Sequence, residues 1–306
     1  MLFRSINRGE LSNKGFEIIL NTVPLQTRSF ILKAGLNLAR NRNRILSLGG
    51  YSDTYHLADI WGLNGPAMEL YEGSEYGTIT GYDYVYDANG NRILNDAGTH
   101  YKITDTRVPI GNASPDFIGG FTTEWIFRNI KISTLIDTKW GGDIYCGSWV
   151  ISQQTGQSPS TLLERDGGGF PYTDPDGITR NVGVVLEGVY EDGTVNDKVV
   201  HYYYKYLPNA GGWGKFVSTP GILENTWVKM REISVSYSLP ASILKKTRVF
   251  QSLTLSVTGR DLFYIYTTLP DNINPEGIMG SGNAQGFEWA SFPGVRSFTF
   301  GASATF

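Results

Sequence analysis

Cysteine is almost missing from this chain: Cys146 stands alone among 306 residues. That excludes a disulfide framework and a thiolate metal cluster. Histidine is nearly as scarce, with His56, His100 and His201 far apart in sequence, which argues against a histidine-rich metal site. Basic excess is lacking as well. The formal charge is −3 and the pI about 5.7, so the balance does not fit a nucleic-acid partner. No run approaches the roughly 20 apolar residues of a membrane helix. The opening MLFRSINRGELSNKGFE has no charged segment followed by an apolar one, so no export signal is visible.

Glycine (37), tyrosine (18), phenylalanine (15) and tryptophan (7) are abundant. Glycine and aromatics on short alternating segments point to an all-β chain. The last segment, SFTFGASATF, puts Phe298, Phe300, Ala302, Ala304 and Phe306 on one face of an extended strand, with Ser, Thr and Gly on the other. Six earlier segments alternate in the same way: 12–22, 29–40, 117–127, 130–140, 226–239 and 249–261. In 226–239 Ile233, Val235, Tyr237 and Leu239 oppose Ser234, Ser236 and Ser238, and strict alternation would put Lys229 and Arg231 on the apolar side too, at headgroup level.

The connections alternate in length. Short ones precede 29, 130 and 249, whereas 41–116, 141–225 and 262–294 are long. Structureless connections beyond about 12–15 residues are uncommon in compact soluble domains. Outer-membrane barrels, by contrast, have short turns at one rim and long loops at the other. Strands of about 10–14 residues exceed the globular mode of about 5–6 and match the 9–11 tilted residues that cross a bilayer. A mean hydropathy of −0.20 fits either setting, because only alternate residues of a barrel strand meet lipid. A soluble β-sandwich carbohydrate-binding module therefore stays open on residues alone, as does a secreted β-rich glycan hydrolase. Within the long connections, DANGN and EDGT read as hairpin turns at Asn89-Gly90 and Asp192-Gly193. The stretch SWVISQQTGQSPSTLLERD reads as a short helix.

Five motifs then occur in order: NKGFEIIL (13–20), GNASPDFIGGF (111–121), LIDTKWGGDIY (135–145), TWVKMREISVSYSLP (226–240) and LSVTGRDLF (255–263). With the terminal aromatic strand, they resemble the carboxy-terminal barrel of SusC/RagA-type TonB-dependent outer-membrane transporters of Bacteroidetes, over about residues 10–306. The resemblance implies the last part of a large antiparallel transmembrane β-barrel with long extracellular loops. The signal peptide, the plug and the first part of the barrel are expected to lie outside this sequence. It also implies a SusD-type surface lipoprotein partner, the TonB complex as energy source, the barrel-assembly machinery, an oligosaccharide or peptide cargo, and contact with outer-membrane lipid. It implies no enzyme, no cofactor and no catalytic or metal site. Seven strands do not close such a barrel, so an open sheet with two unpaired edges is expected. At several kcal/mol per unpaired group in hydrocarbon, those edges cost on the order of tens of kcal/mol, above the 5–15 kcal/mol stability of an ordinary domain.

Residue roles follow from that resemblance. Phe298, Phe300 and Phe306 are expected to form the barrel-assembly signal. Trp125, Trp140 and Tyr237 are candidates for the interfacial aromatic belt. Trp149, Tyr172, Tyr202, Tyr203, Tyr204 and Trp213 are candidate ligand-facing loop aromatics, able to stack on sugar rings, with packing inside a folded loop as the competing role. In SPDFIGGF, Gly119 and Gly120 are read as architectural, permitting close strand approach. DPDG (174–177) and DANGN (87–91) lack the closing glutamate of a calcium loop and are explained by turn chemistry.

Overall fold

The computed structural model describes residues 9–50, 52–206, 215–247, 249–280 and 282–306. Seven long strands make one sheet: β1 (Glu10–Gln26), β2 (Phe30–Ser47), β3 (Phe117–Phe127), β4 (Ile130–Trp140), β5 (Trp227–Ser238), β6 (Ser252–Thr267) and β7 (Ser297–Thr305). They lie in chain order, each antiparallel to the next, with β1 and β7 as the two edges. The sheet is therefore an open antiparallel meander. Short connections close one rim: 27–29 and 128–129 are tight turns, and 239–251 carries a short helix, Ala241–Thr247; at the β3–β4 turn Arg128 takes a left-handed φ of 53°. All three long connections leave from the opposite rim.

The register explains why the strands hold together as they do. One row across six strands reads Leu32, Trp125, Ile132, Val235, Val257, Phe300. The neighbouring row, one residue along, reads Lys33, Glu124, Ser133, Ser234, Thr258, Thr299. A shift of one residue would exchange the two faces, so each strand's alternation fixes its register. Hydroxyls also pair across strands: Ser234 with Thr258 at 2.8 Å on the polar face, and Thr123 with Thr134 at 2.7 Å on the apolar face, two residues along from Trp125 and Ile132. Gly119 and Gly120 fit close to β2: an added Cβ would lie 2.9 Å from the Asn37 carbonyl oxygen or 2.6 Å from its side-chain oxygen.

Among the described residues nothing packs over the apolar face. Trp125, Ile132, Val235, Val257 and Phe300 are all exposed, Phe300 by 78%. The hydrophobic clusters lie elsewhere, in the long connections. The largest joins Ile60, Met68 and Ile79 of the first connection to Tyr145 and Val150 of the second and Phe287 of the third. A two-layer sandwich would bury the rows of β1–β7 against a second sheet, so the sandwich alternative does not describe this molecule. A soluble monomer rarely exposes an apolar patch above a few hundred Å², and this one runs across the whole sheet.

The connections fold into smaller sheets. Four strands of the first connection (Thr54–Asp59, Ala67–Tyr71, Thr78–Gly81, Val108–Asn112) form one. Asp143–Cys146 is flanked by Ile222–Glu224 and, in parallel, by Phe287–Glu288, which ties the second connection to the third. Phe170–Thr173, Thr179–Val185 and Val199–His201 form the last. The turns at Gly90 and Gly193 have left-handed φ of 83° and 84°, and a helix runs over Gly147–Gln154.

Strict alternation fails at one place on β5. The pairing with β4 skips from Met230↔Ile136 to Glu232↔Leu135, so Arg231 is an extra, bulged residue. A bulge reverses which face the residues beyond it present. Lys229 therefore shares a face with Asp137, and both Lys229 and Arg231 engage acids of the polar side. The expectation that they sit over the apolar face is corrected: the alternation read from Ile233 to Leu239 does not carry through the bulge.

Candidate functional site

The polar face is a wall of hydroxyls and balanced charge. Midway along it, Glu124 accepts from Lys33 at 2.7 Å and also pairs with Lys131. Nearer the long connections the charge density rises. The Arg231 guanidinium donates to Asp261 at 2.7 Å, to Asp137 at 2.8 Å and to Glu276 at 2.5 Å. Lys229 Nζ lies 2.6 Å from Glu276 and 2.9 Å from Asp261. The Tyr264 hydroxyl sits 2.9 Å from Glu276 and 2.8 Å from Asn274. Glu276 and Asn274 belong to the third connection, whereas the other members are on β4, β5 and β6. Burial alone would raise the Glu276 carboxyl, yet hydrogen bonds from Arg231 and Lys229 hold it below the usual carboxylate range.

Beside this network lies a cleft of about 620 Å³ between β6 and the third connection, lined by Lys229, Tyr264, Asp271, Asn274, Glu288 and Arg296 among others. Glu288 is buried, and its carboxylate accepts from Ser148 Oγ at 2.8 Å and Ser291 Oγ at 2.9 Å. The cleft thus sets charges of both signs and amide and hydroxyl groups beside apolar walls from Leu262, Phe263, Ile273 and Pro293.

The loop aromatics occupy varied settings. Trp149 is half-buried against the loop core, with Nε1 donating to Asp271 at 3.0 Å. Tyr202 packs on the cluster of Leu94, Val184, Leu186 and Val200, and its ring centroid is 4.5 Å from that of His201. Tyr172 meets His201 from another side at 5.5 Å. Tyr204 stands edge-on to His100 at 5.2 Å, and Tyr203 is exposed. Burial lowers the proton affinity of both His100 and His201, with Arg180 adding to the effect on His201. Trp213 lies outside the described residues. These aromatics do not share one surface: Trp149 packs in the loop core and reaches Asp271, while Tyr172 and Tyr202 gather around His201.

A second aromatic group was not singled out from the sequence. Arg92 lies over the ring of Tyr84 at 4.4 Å, and Tyr84 and Tyr101 stand edge to face at 4.8 Å. Burial pushes the Tyr84 hydroxyl up to about 12, with Arg92 opposing. The alternation of Tyr82, Tyr84 and Tyr86 was the available signal. The ion network was harder to find, because Glu276 is distant in sequence from Lys229 and Arg231.

On the apolar face, Trp140 stacks between Phe117 at 5.8 Å and Tyr266 at 6.3 Å, at the rim bearing the long connections. Near the other rim, Trp125 meets Phe30 edge-on at 6.1 Å and donates from Nε1 to Thr123 Oγ1 at 2.8 Å. Tyr237 is exposed there as well. Phe298 and Phe300 project exposed from the edge strand, and Phe306, one residue past it, is exposed with its ring centroid 5.2 Å from that of Phe250.

A long, two-faced antiparallel sheet with elaborate loops at a single rim is the architecture of a segment of an outer-membrane barrel. No family model matches the chain. Three receptors of Formosa agariphila do. TonB-dependent receptor P3 is 25% identical over 325 aligned positions, covering 98% of this chain and 29% of the receptor. TonB-dependent receptor P26 is 26% identical, covering 98% and 30%, and P39 is 22% identical, covering 98% and 31%. Among solved structures, the RagAB peptide importer in its closed-closed state aligns with a TM-score of 0.64 at 16% identity, covering 97% of this chain and 30% of that one. A structure of the RagAB peptide transporter gives 0.62 at 15% identity, with the same coverage. The chain is thus similar to SusC/RagA-type TonB-dependent receptors along essentially its whole length, and spans about 30% of theirs.

Proposed function

We propose that this chain supplies part of the wall and of the extracellular loops of a TonB-dependent nutrient importer in the outer membrane. The observation that carries this reading is the pair of adjacent rows: an unbroken apolar row across six strands, exposed on five of them, backed one residue away by an unbroken polar one. Such a sheet has a stable setting only where one side meets hydrocarbon and the other meets water or a polar plug. On this reading the long connections point outward, meet cargo, and are covered by a SusD-type surface lipoprotein. Trp140, Trp125 and Tyr237 anchor the two interfaces, and Phe298, Phe300 and Phe306 serve recognition by the assembly machinery. Cargo is an oligosaccharide or a peptide, moved by plug displacement powered through TonB and not by covalent chemistry.

The test is uptake by the complete receptor in which this sheet closes. Labelled oligosaccharide or peptide should accumulate only while TonB is functional, and loss of TonB should abolish uptake. Accumulation that is indifferent to TonB, or a complete receptor that fractionates away from membranes, overturns the reading.

A further inference from the structure

On β2 the apolar residues Phe30, Leu32, Leu36 and Leu38 share their face with Arg40, Arg42 and Arg44, which follow at the same two-residue spacing. β1 faces them in continuous register, with Phe16 opposite Arg40, Lys14 opposite Arg42 and Ser12 opposite Arg44. Four cations therefore stand directly above the greasy band, toward the long connections. Eight residue steps from Phe30 to Leu38 cover about 27 Å along the strand, or about 21 Å along a membrane normal at a tilt of about 40°. That is close to the ~25 Å apolar band of barrels, so Arg40 begins about where hydrocarbon ends, and Arg44 is about 10 Å further out.

Like charges directly opposite on a sheet destabilise it, yet Lys14 faces Arg42. Arg42 finds some compensation: it pairs with Asp116, donates to the Pro115 carbonyl at 3.3 Å and lies 3.9 Å from Glu75. Lys14, Arg40 and Arg44 form no ion pair among the described residues, in contrast to the balanced charges of the polar face. Lys14, Arg40 and Arg44 are exposed and Arg42 is partly so.

We propose that Lys14, Arg40, Arg42 and Arg44 form a docking surface for the phosphate groups of a phosphorylated glycolipid in the outer leaflet. Guanidinium forks suit phosphate oxygens, and a ladder of cations spread over about 10 Å matches a headgroup layer and not a single point anion. The inference rests on the outer-membrane reading, which fixes the face and the direction.

The test uses the complete receptor in which this sheet closes, folded into vesicles containing either bis-phosphorylated lipid A or the same lipid stripped of phosphate. Tightly bound lipid that co-purifies is then counted by native mass spectrometry. Retention of the phosphorylated lipid at least tenfold above the stripped one supports the proposal. It should fall to the stripped level in K14Q/R40Q/R44Q and persist in the turn-side control K245Q/K246Q. Equal retention of both lipids by the membrane-inserted receptor overturns the phosphate site and leaves the membrane reading intact. Failure to associate with either vesicle overturns both.

Discussion

Glu276 closes onto Arg231 at 2.5 Å although 45 residues separate them, and the same carboxylate takes Lys229 at 2.6 Å. One acid of a long connection thus fastens that connection to the wall of the sheet. Lys229 is buried, whereas Glu276 and Arg231 are partly exposed, so the attachment is strong without being sealed from solvent.

Glu276→Gln should release this attachment. It leaves Lys229 and Arg231 short of one counter-charge, for a loss of about 1–3 kcal/mol locally. Amide exchange across residues 270–280 should rise about tenfold or more, while exchange in β1–β4 stays unchanged. Equal protection in the variant would place the fastening elsewhere.

The same attachment has a definite acid limit. Because the Glu276 carboxyl is depressed in the folded protein, its contribution is fully present above the ordinary carboxylate range of about 4.3 and disappears as pH falls through the lower folded value. Protection of 270–280 should be flat from pH 8 to pH 5 and decline only in stronger acid. Glu276→Gln should lack this decline.

The two faces should respond oppositely to charge. Val257→Lys places a cation in the outward apolar row and should cost about 2–4 kcal/mol in vesicle folding. Thr299→Lys, in the adjacent polar row, should cost under about 1 kcal/mol. Urea titrations of the complete receptor folded into vesicles check both, and a reversed order would exchange lipid and lumen.

The loop core is shared by all three connections, so damage to it should spread. Phe287→Ala removes a fully buried ring from a cluster drawn from all three, at about 3–5 kcal/mol. Limited proteolysis should then open sites in all three connections together.

Cys146 reports on the same core. Its thiol is fully buried, and burial raises its proton affinity, with Glu288 adding to the effect. It should resist maleimide in the native chain at pH 7.5 and label in Phe287→Ala. Rapid labelling of the native protein would contradict the packing described.

The sequence by itself determined the two-faced sheet. Residues such as Phe298, Phe300, Val235 and Ile132 declare their face because a strand's side-chain period is two and needs no partner to be read. Turn chemistry at Asn89-Gly90 and Asp192-Gly193, equally local, made those turns legible. Only the tertiary structure decided where Lys229 and Arg231 point, because one bulged residue breaks the period without leaving a mark in composition. It alone joined Glu276 to them, Glu288 to Ser148, and Ile60 to Tyr145 and Phe287. These are contacts between distant segments, fixed by how the connections pack and not by any local pattern, and alternation along one strand carries no information about them.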